Sequence, residues 1–502
     1  MTGKHDMKIK LALATATALG LLTGGAIAGD DNITNTMQYG ERNSLLVEQN
    51  GSNNMAGKGS QFGVPNNSGS RLYQGQYPSN PITGNDNTME VRQNGDFNRV
   101  GVEESGNTNG AYIGQLRNQN VLKINQTTAE GGTFATNGNT VLRILQNSGT
   151  AAQVPNNANG TNILMLSQTN GGSGFATHYL GQVGQTFSVR NARPNVVNVH
   201  QEGSQDATAP RTGNRVNFLN QSGSDNYVDL LQRGSGIGGR GAFNVVHQIG
   251  QTGNGHEIDI KQEGANNHIH YVTQNGGNDN SAVLTLRGDE NGAAIGGGRG
   301  AFTAGRGAAA AGLGANYVSG VFQQGSDNAV EYAVFGGNAN QFGFEQRGTG
   351  NRAIDILITG NGNELAVYQN GTSNALELSA IAGENNVIGL RQTGTDNVAS
   401  LNVSGDRNVG YNPFTTGPAA TLASAQGLAP GLLVQDGMSN RVALTVSLGN
   451  DNVFASLQDG DDNVIVATQS GAGNQAAVVQ LGNGNVANMS QIGSTNSVSI
   501  KQ

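Results

Sequence analysis

Apolar and polar residues alternate in short runs along most of the chain. Residues 88–92 read Thr-Met-Glu-Val-Arg, and 257–261 read Glu-Ile-Asp-Ile-Lys. Period-two alternation marks a strand with one buried face. Each run lasts about six residues. It then meets a turn cluster such as Asp459-Gly460-Asp461-Asp462 or Gly394-Thr395-Asp396. The elements predicted are many short strands separated by tight turns.

The runs keep phase with one another. Asparagine stands at 452, 463, 474, 485 and 496, with glutamine six residues later at 458, 469, 480, 491 and 502. Glycine follows the asparagine by eight, at 460, 471, 482 and 493. The period is 11. In the middle, Asn328, Asn340, Asn351, Asn363, Asn374, Asn386 and Asn397 are spaced alternately by 12 and 11. A full unit is therefore two strands and 22 or 23 residues. With the asparagine as slot 0, slots 2 and 4 are mostly apolar: Phe342 and Phe344, Leu365 and Val367, Val498 and Ile500. Slots 0 and 6 share their parity, so Asn and Gln are expected to point inward as well.

A strand of this length cannot bury its face alone. Two strands set back to back make one rung, and rungs stack in register. The fold class predicted is all-β: a two-strand-per-rung parallel β-solenoid with cross-β spacing and loop insertions. About 15 rungs make a rod of roughly 70 Å. Identical amides on successive rungs can donate and accept along the axis. The amide ladder expected comprises Asn340, Gln346, Asn351, Asn363, Gln369, Asn374, Asn386, Gln392, Asn397, Asn452, Gln458, Asn463, Gln469, Asn474, Gln480, Asn485, Gln491, Asn496 and Gln502.

Composition sharpens this picture. Glycine supplies 78 of 502 residues, and charged residues are 12% against a usual share of about 25%. Few charges permit like strands to stack without repulsion. There is no cysteine, which excludes a disulfide scaffold and a thiolate metal centre. A net charge of −8 without a basic patch speaks against a nucleic-acid binder.

Residues 1–28 read as a signal peptide: Lys8 and Lys10, an apolar run from Leu11 to Leu22, and Ala26-Ile27-Ala28 before Gly29. Residues 29–502 are the repeat region, and no later segment is long and apolar enough to span a bilayer. The phase breaks at about 55–86, 127–138, 171–194, 292–315 and 409–439. These are expected as loops leaving the rod at turns, where an insertion need not disturb the stack.

Candidate chemistry is sparse. His268 and His270 share an outward face, with His247 and His256 nearby in sequence. Two imidazoles at i and i+2 are a metal motif only with a third ligand at fixed spacing. None is evident, so no metal site is expected. Paired acids such as Asp461-Asp462 fall at turns, as turn chemistry or as gatekeepers against premature assembly. The Gly-rich segment 296–307 lacks a Walker lysine. Calcium-binding repeats have a period of about nine with a fixed Asp, unlike this chain. No catalytic constellation and no cofactor are expected.

The pattern resembles the curlin repeat family, the subunits of bacterial curli amyloid fibres. Its motif is close to Ser-x5-Gln-x-Gly-x-x-Asn-x5-Gln. Gln346-x-Gly348-x-x-Asn351, Gln369-x-Gly371-x-x-Asn374, Gln392-x-Gly394-x-x-Asn397 and Gln480-x-Gly482-x-x-Asn485 match its core. The family's Ser slot is usually Asn here. The resemblance implies a secreted fibre subunit on the surface of a Gram-negative-type bacterium, serving adhesion and biofilm matrix. It implies self-association, a minor curlin nucleator, an outer-membrane export pore and a periplasmic chaperone as partners. Physics alone supports fibre growth, because Asn496 to Gln502 form a strand without a cap that can template the next molecule. The alternative is a monomeric β-solenoid adhesin or binding module using its outer face. The wide variation at slots 1, 3 and 5 speaks against that.

Overall fold

The computed structural model describes residues 319–502 without a break, 244–264, 267–292, and separate segments between 33 and 234. Residues 1–28, expected as a signal peptide, lie outside the described residues. Nearly every element is a strand, and the strands assemble into two parallel sheets. Sheet 1 has 16 described strands, from Ser44–Asn50 to Ser497–Lys501. Sheet 2 has 18, from Ile33–Thr34 to Val486–Ile492. Successive strands alternate between the sheets, and each pairs with its counterpart one unit along. Gln341–Thr349 lies on Glu364–Thr372, and that strand on Val387–Thr395, residue for residue. The chain is a two-strand-per-rung parallel β-solenoid.

Inward slots build one continuous core. Phe335, Phe342, Phe344 and Phe454 are fully buried, and the rings of Phe335 and Phe342 stack across the rung at 4.3 Å. Burying one such side chain stabilises the fold by about 1.5–3 kcal/mol. The alternating 12- and 11-residue steps have a local cause. Ala329–Gly336, Arg352–Thr359 and Ala375–Ala382 carry an extra residue each. Their ladders stay in phase with one another and slip at both ends of the block, at Ala282/Leu284 and Leu376/Ser379. In the middle strand Asp355 takes a positive φ of 54°. A bulge shared by stacked neighbours costs no pairing inside the stack.

Several expected loops differ. The span 171–194 holds a ladder strand, His178–Phe187, paired on both sides. It lacks a slot-0 asparagine, but Gln185 keeps its place among the stacked glutamines. Two insertions split a strand instead of lengthening a turn. Met55–Ala56 and Leu72–Gln74 lie on Ile33–Thr34 and Thr36–Gln38 as two pieces. Val409 bridges Val387 and Val453, and the same rung resumes at Leu432–Met438. A third break has the same form. Asn291 and Gly292 hold ladder hydrogen bonds, and strand Gly320–Ser326 continues that rung. Hydrogen bonding from neighbouring rungs requires each slot to be filled, not an unbroken chain. The splice is tight: a Cβ on Gly431 would lie 2.7 Å from Gly410 Cα.

The excursion 411–431 also carries helix α1, Pro418–Ala425. It packs on the outer face of sheet 1. No helix among the described residues is long and apolar enough to cross a membrane.

Candidate functional site: the stacked amide columns

The glutamines of sheet 1 form one column. Nε2 of each donates to Oε1 of the next at 2.8–3.0 Å, through Gln185, Gln221, Gln251, Gln274, Gln323, Gln346, Gln369, Gln392, Gln435, Gln458, Gln480 and Gln502. The same amide also ties the two sheets together: Gln369 Nε2 donates to the carbonyls of Arg352 (2.9 Å) and Asn374 (3.1 Å). Nearer the start, Gln49 donates to Gln93 at 2.8 Å.

Sheet 2 treats the same slot differently. Gln201, Gln232 and Gln262 stack, and so do Gln469 and Gln491. Between them the place is taken by buried Leu286, Phe335, Ile358, Ile381, Val403 and Val446. The change leaves a mark. Oε1 of Gln469 is buried without a partner, because the rung before it presents Val446.

The asparagines make two further columns, one at each corner. Before sheet 2, Nδ2 of Asn351, Asn374 and Asn397 donates to Oδ1 of the asparagine one rung back at 2.9–3.1 Å. Asn440 and Asn463 continue this column through their backbone N–H groups, which donate to the Oδ1 one rung back, and Asn485 through its Nδ2. Before sheet 1, Asn340, Asn363, Asn386, Asn452, Asn474 and Asn496 do the same, and Asn408 joins them through its backbone N–H, which donates to Asn386 Oδ1. Nδ2 also donates forward to a glycine carbonyl, as from Asn351 to Gly371 at 3.0 Å. Amide donors thus point forward in the glutamine columns and backward between asparagines, so the side-chain dipoles partly cancel along the rod. Each bond is worth about 0.5–1.5 kcal/mol net, and an orphaned amide costs about 1–3 kcal/mol.

Glycine at slot 8 is required by this contact. Gly371 has φ 127°, and a Cβ there would sit 2.0 Å from the carbonyl oxygen of Gly394. Slot 9 carries a column that the spacing analysis missed. Oδ1 of Asp461 accepts the Met438 N–H at 2.9 Å, and Oδ1 of Asn483 accepts that of Asp461 at 2.8 Å. Asn338, Asn361, Asp406 and Asn450 act alike at the other corner. Asp461 is therefore turn chemistry with a specific partner. An Asn or Asp two residues before the slot-0 asparagine was the available signal.

The histidines divide into two kinds. His256 replaces asparagine at slot 0: its Nδ1 accepts the Asn280 backbone N–H at 3.2 Å and its Nε2 faces Thr252 O at 3.2 Å. That fits the neutral ring protonated on Nε2, and burial lowers its pKa. His268 and His270 lie on the outer face, with the His247 ring stacked on His270 at 5.3 Å and His268 at 6.1 Å from it. Burial, then neighbouring histidine charge, lowers both to about 4. Among the described residues no group of three or more ligating side chains is placed to hold a metal ion.

Two stretches, 84–116 and 460–493, match the curlin associated repeat. These two stretches are similar to curlin repeats. The second stretch holds Asn463, Gln469, Asn474, Gln480, Asn485 and Gln491, so it coincides with rungs whose columns are filled by amides in both sheets. No curated protein matches the chain. The likeness to curlin repeats points to a structural protein rather than an enzyme.

Proposed function

We propose that the chain is the secreted structural subunit of a curli-like functional amyloid fibre, assembling end to end on the cell surface for adhesion and biofilm matrix. The observation that carries this is the sheet 1 glutamine column, unbroken among the described residues from Gln185 to Gln502. Such a column satisfies its members by repetition, and a second copy repeats it. Among the described residues Oδ1 of Asn485 and of Asn496 accepts no hydrogen bond, whereas upstream counterparts take one from the following rung. The curlin repeats add the expectation of a minor curlin nucleator, an outer-membrane export pore, a periplasmic chaperone and export by the signal peptide at 1–28. The asparagines and glutamines that the spacing places in columns are proposed as the residues that hold register in the fibre.

The test is to purify the chain and follow amyloid-dye fluorescence and fibre diffraction. Fibres with a reflection at about 4.7–4.8 Å are expected. A stable monomer without it overturns the reading and leaves the monomeric adhesin.

A further inference from the structure

Helix α1 stands out in a rod of strands. Its excursion leaves sheet 1 at Gly410 and then lies over three later strands of that sheet. Ala419, Ala423 and Leu428 are buried against Ala455, Ala477 and Val479. Thr415 N donates to Gln475 Oε1 at 2.9 Å, and Ala419 N to Ser497 Oγ at 3.2 Å. The outward slots make room for it: slot 3 reads Ala455, Ala477, Ser499 on successive strands. The helix therefore reaches Ser497–Lys501, the strand at one end of sheet 1 among the described residues. Ser44–Asn50 is the strand at the other end.

We propose that α1 and the edge of Ser497–Lys501 together form a docking site for the strand Ser44–Asn50 of a second copy. This rests on the fibre reading and specifies its junction. Gln49 already lies in register on Gln93, as each glutamine of sheet 1 does on the next. Continuing that rule sets Gln49 of the second copy on Gln502. Ser44 then falls beside Ser497, Leu46 beside Ser499 and Glu48 beside Lys501. Two features of the sequence are explained by this register. Leu46 is 40% exposed although apolar, and the junction carries it into the slot-3 column at the foot of α1. Lys501 is exposed at slot 5, and Glu48 brings the opposite charge to the same slot of the adjoining strand. A slip of one residue reverses every side chain, sending Leu45 and Val47 outward.

The experiment is seeded elongation of the full chain at low salt, with circular dichroism of each variant before assembly. Lys501→Glu and Glu48→Lys are each expected to slow elongation about threefold to tenfold. The double reversal recovers a rate within about twofold of the unaltered chain. Ala423→Asp, which unseats α1, and Leu46→Asp slow it to a similar degree while strand content is kept. Single reversals that elongate at the unaltered rate, or a double reversal that does not recover, overturn the junction while fibres still form. Unaltered elongation of Ala423→Asp removes α1 from the site. An unaltered chain that never extends its own seeds fails the fibre reading itself.

Discussion

The side-chain amide of Gln346 donates to Oε1 of Gln369 at 2.8 Å, although 23 residues separate them. Gln369 repeats the bond to Gln392. Replacing Gln369 by leucine removes both bonds and those to the Arg352 and Asn374 carbonyls, and orphans a buried acceptor on Gln392. We expect a loss of about 2–3 kcal/mol in denaturant unfolding. Gln469→Leu is the control. Gln469 already bears the orphan acceptor, so the change removes its bonds to Gln491 and to the Val453 carbonyl but adds no orphan, moving the existing one to Gln491. That variant should lose clearly less, about 1 kcal/mol. Equal losses in the two would refute the column as an energetic unit.

Glycine at slot 8 is a packing requirement as well as a turn preference. At Gly371 an added methyl meets the Gly394 carbonyl. At Gly484, also with positive φ (71°), it meets nothing within 4 Å. Gly484→Ala should cost about 1–2 kcal/mol, the strain of a left-handed alanine. Gly371→Ala should exceed about 3 kcal/mol, because the clash adds to that strain. Thermal unfolding of the pair separates the two contributions.

Stability should fall on mild acidification. In the unfolded chain His268 and His270 titrate near about 6.5, and in the fold both are lowered to about 4. Between these values the unfolded chain binds more protons, so stability declines as pH drops from about 6.5 to about 4 and then levels. His256, also lowered by burial, acts in the same direction and loses its acceptor for the Asn280 N–H when protonated. Urea unfolding across this range should show a decline on the order of a few kcal/mol. In His268→Gln/His270→Gln the slope should flatten. In His256→Asn, which installs the usual slot-0 residue, stability at neutral pH should be kept. An unchanged slope in both would rule these histidines out as its source.

The shared bulge predicts a position-specific response to backbone change. Asp355 holds φ 54°. Asp355→Gly should be neutral or stabilising by up to about 1 kcal/mol, and Asp355→Val should cost about 1–2 kcal/mol. The same Val change at Glu377, an outward strand position in the next rung, should be smaller. Similar effects at both positions would mean that the bulge carries no strain.

Much of this protein was legible from residue spacing. Asn351, Asn363 and Asn374, with Gln346 and Gln369, repeat at intervals that only stacked strands satisfy. Repetition specifies register, since a buried amide is satisfied only by its copy at the same slot of the next rung. From the period alone followed the parallel solenoid, the inward amides and the two strands per rung.

Other features depended on what lies beside a residue in space. Nothing in the local sequence says that Val409 and Leu432 belong to one rung, because a split strand is defined by its neighbours. The placement of α1 was hidden for a similar reason. Its partners Ala455, Ala477 and Val479 occupy outward slots, and their small apolar side chains acquire meaning only once the helix is above them. The sheet 2 column, with Val446 beside Gln469, is likewise a property of the assembled rungs. Sequence alone determined the repeat because period and parity are properties of a single strand. Tertiary structure decided the splices, the covering helix and the orphaned amide because each arises between segments far apart in the chain.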